Sequence, residues 1–264
     1  MRQAVRALAA AATLVAAAAI PVRAQPVVSE PPPALEFLSR FDFEIVGAGL
    51  ADEDPRFSWD THWTGDFDLV DYVNGRFGFR ADYEAILGQE FRPFDPYQSN
   101  YSLSVSASFR RGSSEWALLF HHVSRHLGDR PKRDPVAYNA WIVRLLKRIE
   151  RGRETIDLNG NIGPVVARAW VDYNWLGNID VMVRRPLRPA TTLYGRGFGV
   201  TYGVDEDIAG RGQQWGGRLE AGLRFSGKAA AIDVFGGFER MIDADPLDRL
   251  TRQWALAGFR LTGL

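Results

Sequence analysis

"NYSLSVSASFRRG", residues 100–112, alternates without a break. Leu103, Val105, Ala107 and Phe109 fall on one face of an extended chain. Ser102, Ser104, Ser106 and Ser108 fall on the other, because successive side chains of a strand point to opposite sides. Two architectures use such a strand. A soluble sandwich buries the apolar face in a core, whereas a transmembrane barrel turns it to lipid and leaves the serines to a wet lumen.

The same period of two recurs along the chain. It appears in "LEFLSRFDFEIVGAG", "RFSWDTHWTG", "FGFRADYEAIL", "YNAWIVRLLKRIE", "ETIDLNGNI", "VVARAWVDYNW", "IDVMVRRPL", "TLYGRGFGVTYGV", "WGGRLEAGLRFS", "AAAIDVFGGFERMI" and "WALAGFRLTGL". Turn signals separate these runs, among them "NGR", "RRGSS", "RGR", "NGN" and "FSGK". The spacing predicts about 12 strands and no long helix, with "WIVRLLKRIERG" read as strand. "GRGFGVTYG" has the glycines of a phosphate loop but lies in an alternating strand with no helix after it, so the nucleotide reading fails.

Bulk features choose between the two architectures. Arg2 and Arg6 followed by "ALAAAATLVAAAAI" (7–20) and "PVRA" read as an export signal over 1–24, cut before Gln25. The alternative, a membrane anchor, is disfavoured because the run is short and alanine-rich. Residues 25–34 are proline-rich and expected to be disordered, which leaves 35–264 for the fold. There are no cysteines, so an exported chain must be stabilised without disulfides. After loss of Arg2, Arg6 and Arg23 the chain carries 29 basic against 32 acidic residues, a balance that gives no case for nucleic-acid binding. No later stretch is apolar enough for a membrane helix. The eight tryptophans, Trp59, Trp63, Trp116, Trp141, Trp170, Trp175, Trp215 and Trp254, are placed towards strand ends, as interfacial girdles would be. The expected fold is therefore all-β, a closed antiparallel transmembrane β-barrel of about 12 strands in the bacterial outer membrane. A periplasmic β-sandwich is the alternative. The closing run Ala255, Ala257, Phe259, Leu261 suits a final strand handled by the barrel assembly machinery, although the chain ends on Leu264 rather than an aromatic.

"WALLFHHVSRHLGD" (116–129) holds His121, His122 and His126, three of the four histidines, around Ser124. On a strand, Trp116, Leu118, Phe120, His122 and Ser124 share one face, and Ala117, Leu119, His121 and Val123 share the other. The first set is bulkier and is expected to face lipid. The preceding turn is tight and the following loop long, which puts His122 and Ser124 near the outer leaflet. This arrangement resembles two families of lipid hydrolases, outer-membrane phospholipase A and lipid A 3-O-deacylase. In both, a lipid-facing His-x-Ser pair works with an Asn or Glu on the next strand. The resemblance implies Ser124 as nucleophile, His122 as base and Asn139 as the group orienting it. A serine needs such a base, and the base a group that fixes its tautomer. Asp129 and Asp134 are loop alternatives to Asn139. "HVSRHLGD" (122–129) is also similar to a stretch shared by a family of Gram-negative outer-membrane proteins without an assigned activity, and "GLADEDPRFSW" (49–59) to an early segment of that family.

Other readings stay open. The histidines could be plain interfacial side chains, or His122, His126 and Asp129 could hold a metal. "RPKRDP" reads as a solvated loop or a basic rim for lipid phosphates. Asp205, Glu206 and Asp207 read as a solvated or cation-binding loop. The residues call for no cofactor, while the phospholipase resemblance implies a divalent cation such as calcium. The expected function is acyl-ester hydrolysis of outer-membrane lipid, phospholipid or lipid A. The alternative is a non-enzymatic barrel, either a small pore or a structural or assembly protein.

Overall fold

The computed structural model describes residues 28, 31–131 and 134–263. The expected export signal, half of the proline-rich lead-in (25–27, 29 and 30), Lys132, Arg133 and Leu264 lie outside the described residues. Twelve strands follow one another: β1 (Glu36–Leu50), β2 (Trp59–Asp71), β3 (Arg76–Gly88), β4 (Asp95–Arg111), β5 (Ser114–Leu127), β6 (Val136–Arg151), β7 (Glu154–Ala169), β8 (Tyr173–Arg188), β9 (Thr191–Val204), β10 (Gln214–Ser226), β11 (Ala230–Met241) and β12 (Arg252–Gly263). Each is antiparallel to its chain neighbour, and β1 closes on β12 with Ile45 opposite Leu261. One helical turn, α1 (Glu206–Ala209), lies in the loop after β9.

The connections differ by end. At one end the turns are short, as at 112–113 and 152–153, where Gly112 and Gly152 take φ of +59° and +63°. A two-residue hairpin turn asks for that left-handed backbone, which glycine adopts at no steric cost. At the other end lie the longer loops 51–58, 128–135, 205–213 and 242–251. Short turns on one side and long loops on the other are the pattern of a barrel inserted from the periplasm.

The two faces of the wall separate barrel from sandwich. Outward residues are apolar and open: Val105 is 40% exposed, Phe109 56%, Leu118 54% and Ile162 61%. A soluble protein rarely leaves so continuous an apolar surface uncovered. Inward residues are charged and enclosed. Arg218 and Arg260 have about no exposed surface and are ringed by Asp60, Glu44, Glu220, Asp233 and Glu239. Ionic groups of this kind are tolerated out of bulk water only when paired. Two aromatic belts flank the apolar zone. Phe41 stacks on Phe67 at 4.5 Å towards the short turns, and the ladder Trp63–Tyr83–Tyr101 runs towards the long loops. The protein is a closed twelve-stranded barrel of the outer-membrane type.

The lumen is filled. Ion pairs occupy its middle, and the mouth at the long-loop end is packed by Phe57, Ile86, Tyr97, Phe235, Trp254 and Leu256. Loop 242–251 folds into that mouth, with Gln98 Nε2 donating to the Ala244 carbonyl at 2.7 Å and Arg125 to the Asp243 carbonyl at 2.6 Å.

Two sequence expectations change. "NGN" (159–161) is not a turn but part of β7, because its asparagines find lumen partners. Asn161 Nδ2 donates to Asn159 Oδ1 at 2.9 Å and to Asn178 Oδ1 at 2.8 Å. "VVARAWVDYNW" then spans the β7–β8 connection instead of forming one strand. Trp254 is not a girdle residue. It is 2% exposed inside the mouth, donating from Nε1 to Glu239 Oε2 at 3.0 Å and packing on Phe57.

Candidate active site on the outer wall

β5 and β6 place the sequence-selected residues by register. His122 pairs across the strands with Asn139, Ser124 with Ala137, and Phe120 with Trp141. On the other side His122 faces Leu103 and Ser124 faces Tyr101 of β4. Neighbours two apart share a face. His122 and Ser124 therefore lie on the wall that also carries Leu118, Trp141 (46% exposed) and Val143 (47%). Ser124 is three residues from the long-loop end of β5, about 10 Å of strand.

The His122 Nδ1–H donates to Asn139 Oδ1 at 2.7 Å, since an amide oxygen can only accept. That bond selects the tautomer in which Nε2 keeps its lone pair and is the basic nitrogen. The Ser124 hydroxyl lies 2.8 Å from His126 Nε2, the next residue but one on the same face. His126 in turn meets the Tyr101 ring edge-on at 5.6 Å, ending the aromatic ladder from Trp63. Ser124 thus stands between two imidazoles, one held by Asn139 and one by Tyr101.

His121 points the other way. It is 8% exposed in the lumen, with Nδ1 2.9 Å from Ser104 Oγ. The set His122, His126 and Asp129 does not come together as metal ligands among the described residues. The two histidines stand four residues apart along the strand, about 13 Å, and Asp129 is taken by Arg92 at 2.6 Å. Asp134 stays in the loop before β6.

The loops around this site are cross-linked rather than loose. Arg130, from the basic "RPKRDP" stretch, binds Glu90 and Asp95 at 2.6 Å each and lies over the Phe91 and Tyr97 rings. Burial acts to lower its pKa, but those carboxylates outweigh it and raise the value overall. Asp205 binds Arg168 at 2.7 Å. Across the mouth, Arg211 ties Asp172 to Asp243 with contacts of 2.7 Å. Desolvation would raise the Asp172 pKa, yet the Arg211 hydrogen bond and charge hold it below the usual range.

Sequence reasoning missed a second convergence, in the lumen. Asp60 and His62 of β2 and Glu84 of β3 bring three ligand atoms together, and all three residues are buried. Its signal was present in "WDTHWTGDFD", where every second residue is polar or charged.

No family model and no curated protein sequence matches the chain. Solved structures do. Outer membrane phospholipase A from Escherichia coli superposes with a TM-score of 0.53 at 12% identity, over 85% of this chain and 92% of that one. The Salmonella typhi outer membrane phospholipase dimer with bound calcium gives 0.52 at 12% identity, over 85% and 90%. At such identity the likeness is one of fold: this chain shares the closed twelve-stranded barrel of outer-membrane proteins.

Proposed function

We propose that the protein is an outer-membrane lipid acyl-ester hydrolase acting from its lipid-facing wall. Ser124 is the nucleophile, His122 the general base and Asn139 the group that orients His122. The observation that carries this reading is the 2.7 Å bond from His122 Nδ1–H to Asn139 Oδ1, on the outward face two residues from Ser124. In the reaction His122 Nε2 takes the hydroxyl proton as Oγ attacks the ester carbonyl. The proton then passes to the leaving alkoxide, and water regenerates Ser124 from the acyl-enzyme by the same route. One χ1 rotation moves Oγ between staggered positions along the strand. His126, 2.8 Å from the Ser124 hydroxyl in the resting arrangement, is therefore displaced when His122 becomes the base. Leu103, Leu118 and Trp141 around the pair offer an apolar surface for an acyl chain.

Calcium, present in the Salmonella phospholipase structure, does not fit the residues beside Ser124. It asks for about six to eight oxygen ligands. Among the described residues the three-ligand cluster lies in the lumen, and Asp129 and Glu90 are held by arginines.

The filled lumen speaks against the alternative of a small pore. The test is hydrolysis of phospholipid and of lipid A in mixed micelles by the folded protein. Ser124→Ala and His122→Ala should each lower turnover by about a hundredfold or more, and Asn139→Ala by about tenfold or more. His121→Ala, altered only inside the lumen, should retain activity within a few-fold. Turnover unchanged in Ser124→Ala, or greater loss in His126→Ala than in His122→Ala, would overturn the assignment.

A further inference from the structure

The structure assigns a binding site for a divalent first-row transition ion of the zinc class to the lumen, formed by Asp60, His62 and Glu84. His62 has no exposed surface, Asp60 is 3% and Glu84 7% exposed. His62 Nε2 lies 3.1 Å from Asp60 Oδ1 and 3.7 Å from Glu84 Oε1. None of these three buried atoms has a hydrogen-bond partner of acceptable geometry. Ligands bonded at about 2.0–2.1 Å to one tetrahedral zinc stand about 3.3–3.4 Å apart, so the two separations bracket that value.

The other atom of each residue is fixed from outside the cluster. His62 Nδ1–H donates to Asp82 Oδ1 at 3.3 Å, and Thr64 Oγ1 donates to the same oxygen at 2.6 Å. Arg218 donates to Asp60 Oδ2 at 2.9 Å, and Asn100 Nδ2 to Glu84 Oε2 at 2.7 Å. A carboxylate behind the imidazole and donors behind each carboxylate are the outer partners that orient metal ligands. Register explains the convergence: His62 sits opposite Glu84, and Thr64 opposite Asp82, so the ligands lie on one inward face of two paired strands.

Charge points the same way. Arg218, the arginine that reaches Asp60, also binds Glu220 at 2.9 Å and approaches Glu239 at 3.5 Å. Asp60, Asp82 and Glu84 draw on it together with Arg125 and His62, and a dication bonded to His62 Nε2 would supply positive charge at the point where the carboxylates converge. One imidazole with two carboxylates suits zinc or its neighbours better than calcium or magnesium, which take oxygen alone. Asp82 and Glu84 also line a cavity of about 80 Å³ beside loop 242–251, which leaves space for a few waters next to the cluster.

The test is zinc titration of the folded full-length barrel in detergent, monitored by calorimetry. One equivalent should bind, with calcium unable to compete. Glu84→Gln and His62→Gln should each weaken binding by about a hundredfold, and Asp82→Asn by about tenfold or more. His126→Ala, which removes the exposed imidazole beside Ser124, should leave binding unchanged. X-ray absorption of the zinc-loaded unaltered protein should report one imidazole per zinc, a result that does not depend on any variant folding. No saturable zinc binding, two or more imidazoles per zinc, or loss of binding in His126→Ala would overturn the assignment.

Discussion

Arg260 of β12 reaches across the seam that closes the barrel. It is 1% exposed and contacts Glu220 at 2.7 Å, Asp233 at 3.2 Å and Glu44 of β1 at 3.3 Å. Replacing it by Met keeps most of the side-chain volume and removes the charge. Glu220 would keep Arg218 at 2.9 Å, and Asp233 would keep Arg224 at 2.7 Å. Glu44 has Arg260 as its ion-pair partner among the described residues, and its Oε1 already lacks a hydrogen bond. Arg260→Met thus leaves one buried carboxylate uncompensated, which costs about 3–5 kcal/mol. Adding Glu44→Gln removes that charge, so the double variant should recover about 2 kcal/mol relative to the sum of the two single losses. Denaturant unfolding in detergent micelles measures each value, and the heat-modifiable band on a semi-native gel reports closure. A loss below about 1 kcal/mol for Arg260→Met, or strict additivity with Glu44→Gln, would refute the claim that this ion pair holds the seam.

Two further outcomes test other parts of the structure. Val105→Arg puts a charge on the lipid face and should cost about 2–4 kcal/mol near the midplane, whereas Ser106→Arg, inside the charged lumen, should be much milder; equal damage would argue for two buried faces. In the 51–58 loop the Arg56 hydrogen bond holds the Asp54 carboxyl at about 2, below its ordinary 3.8. A depressed carboxylate stabilises above its unfolded value and loses that contribution as pH falls through the folded one. Acidification from about pH 4 to 2 should therefore free this loop, which Asp54 also ties to Arg252. Trp254 fluorescence beside Phe57 would follow the release, and a loosening already complete at pH 5 would contradict the assignment.

The fold class was legible in the residues because alternation is a local property. Leu103, Val105 and Phe109 against Ser102, Ser104 and Ser108 specify both faces of β4 wherever the strand lies, and the outward placement of His122 and Ser124 follows from the same parity. The pairing of His122 with Asn139 depends on register, which the 128–135 loop sets, and no periodicity contains it. Nor could parity say which imidazole Ser124 meets, since His122 and His126 lie equally far along one face. Turn chemistry misled at "NGN" because the asparagines gained partners on β7 and β8 that exist only once those two strands pair in register. Trp254 was misplaced for a related reason, since loop 51–58 supplies Phe57 and makes the mouth an apolar site. The lumen networks depend most on closure. Arg218 meets Asp60 from 158 residues away, and a barrel brings them together only when its last strand finds its first.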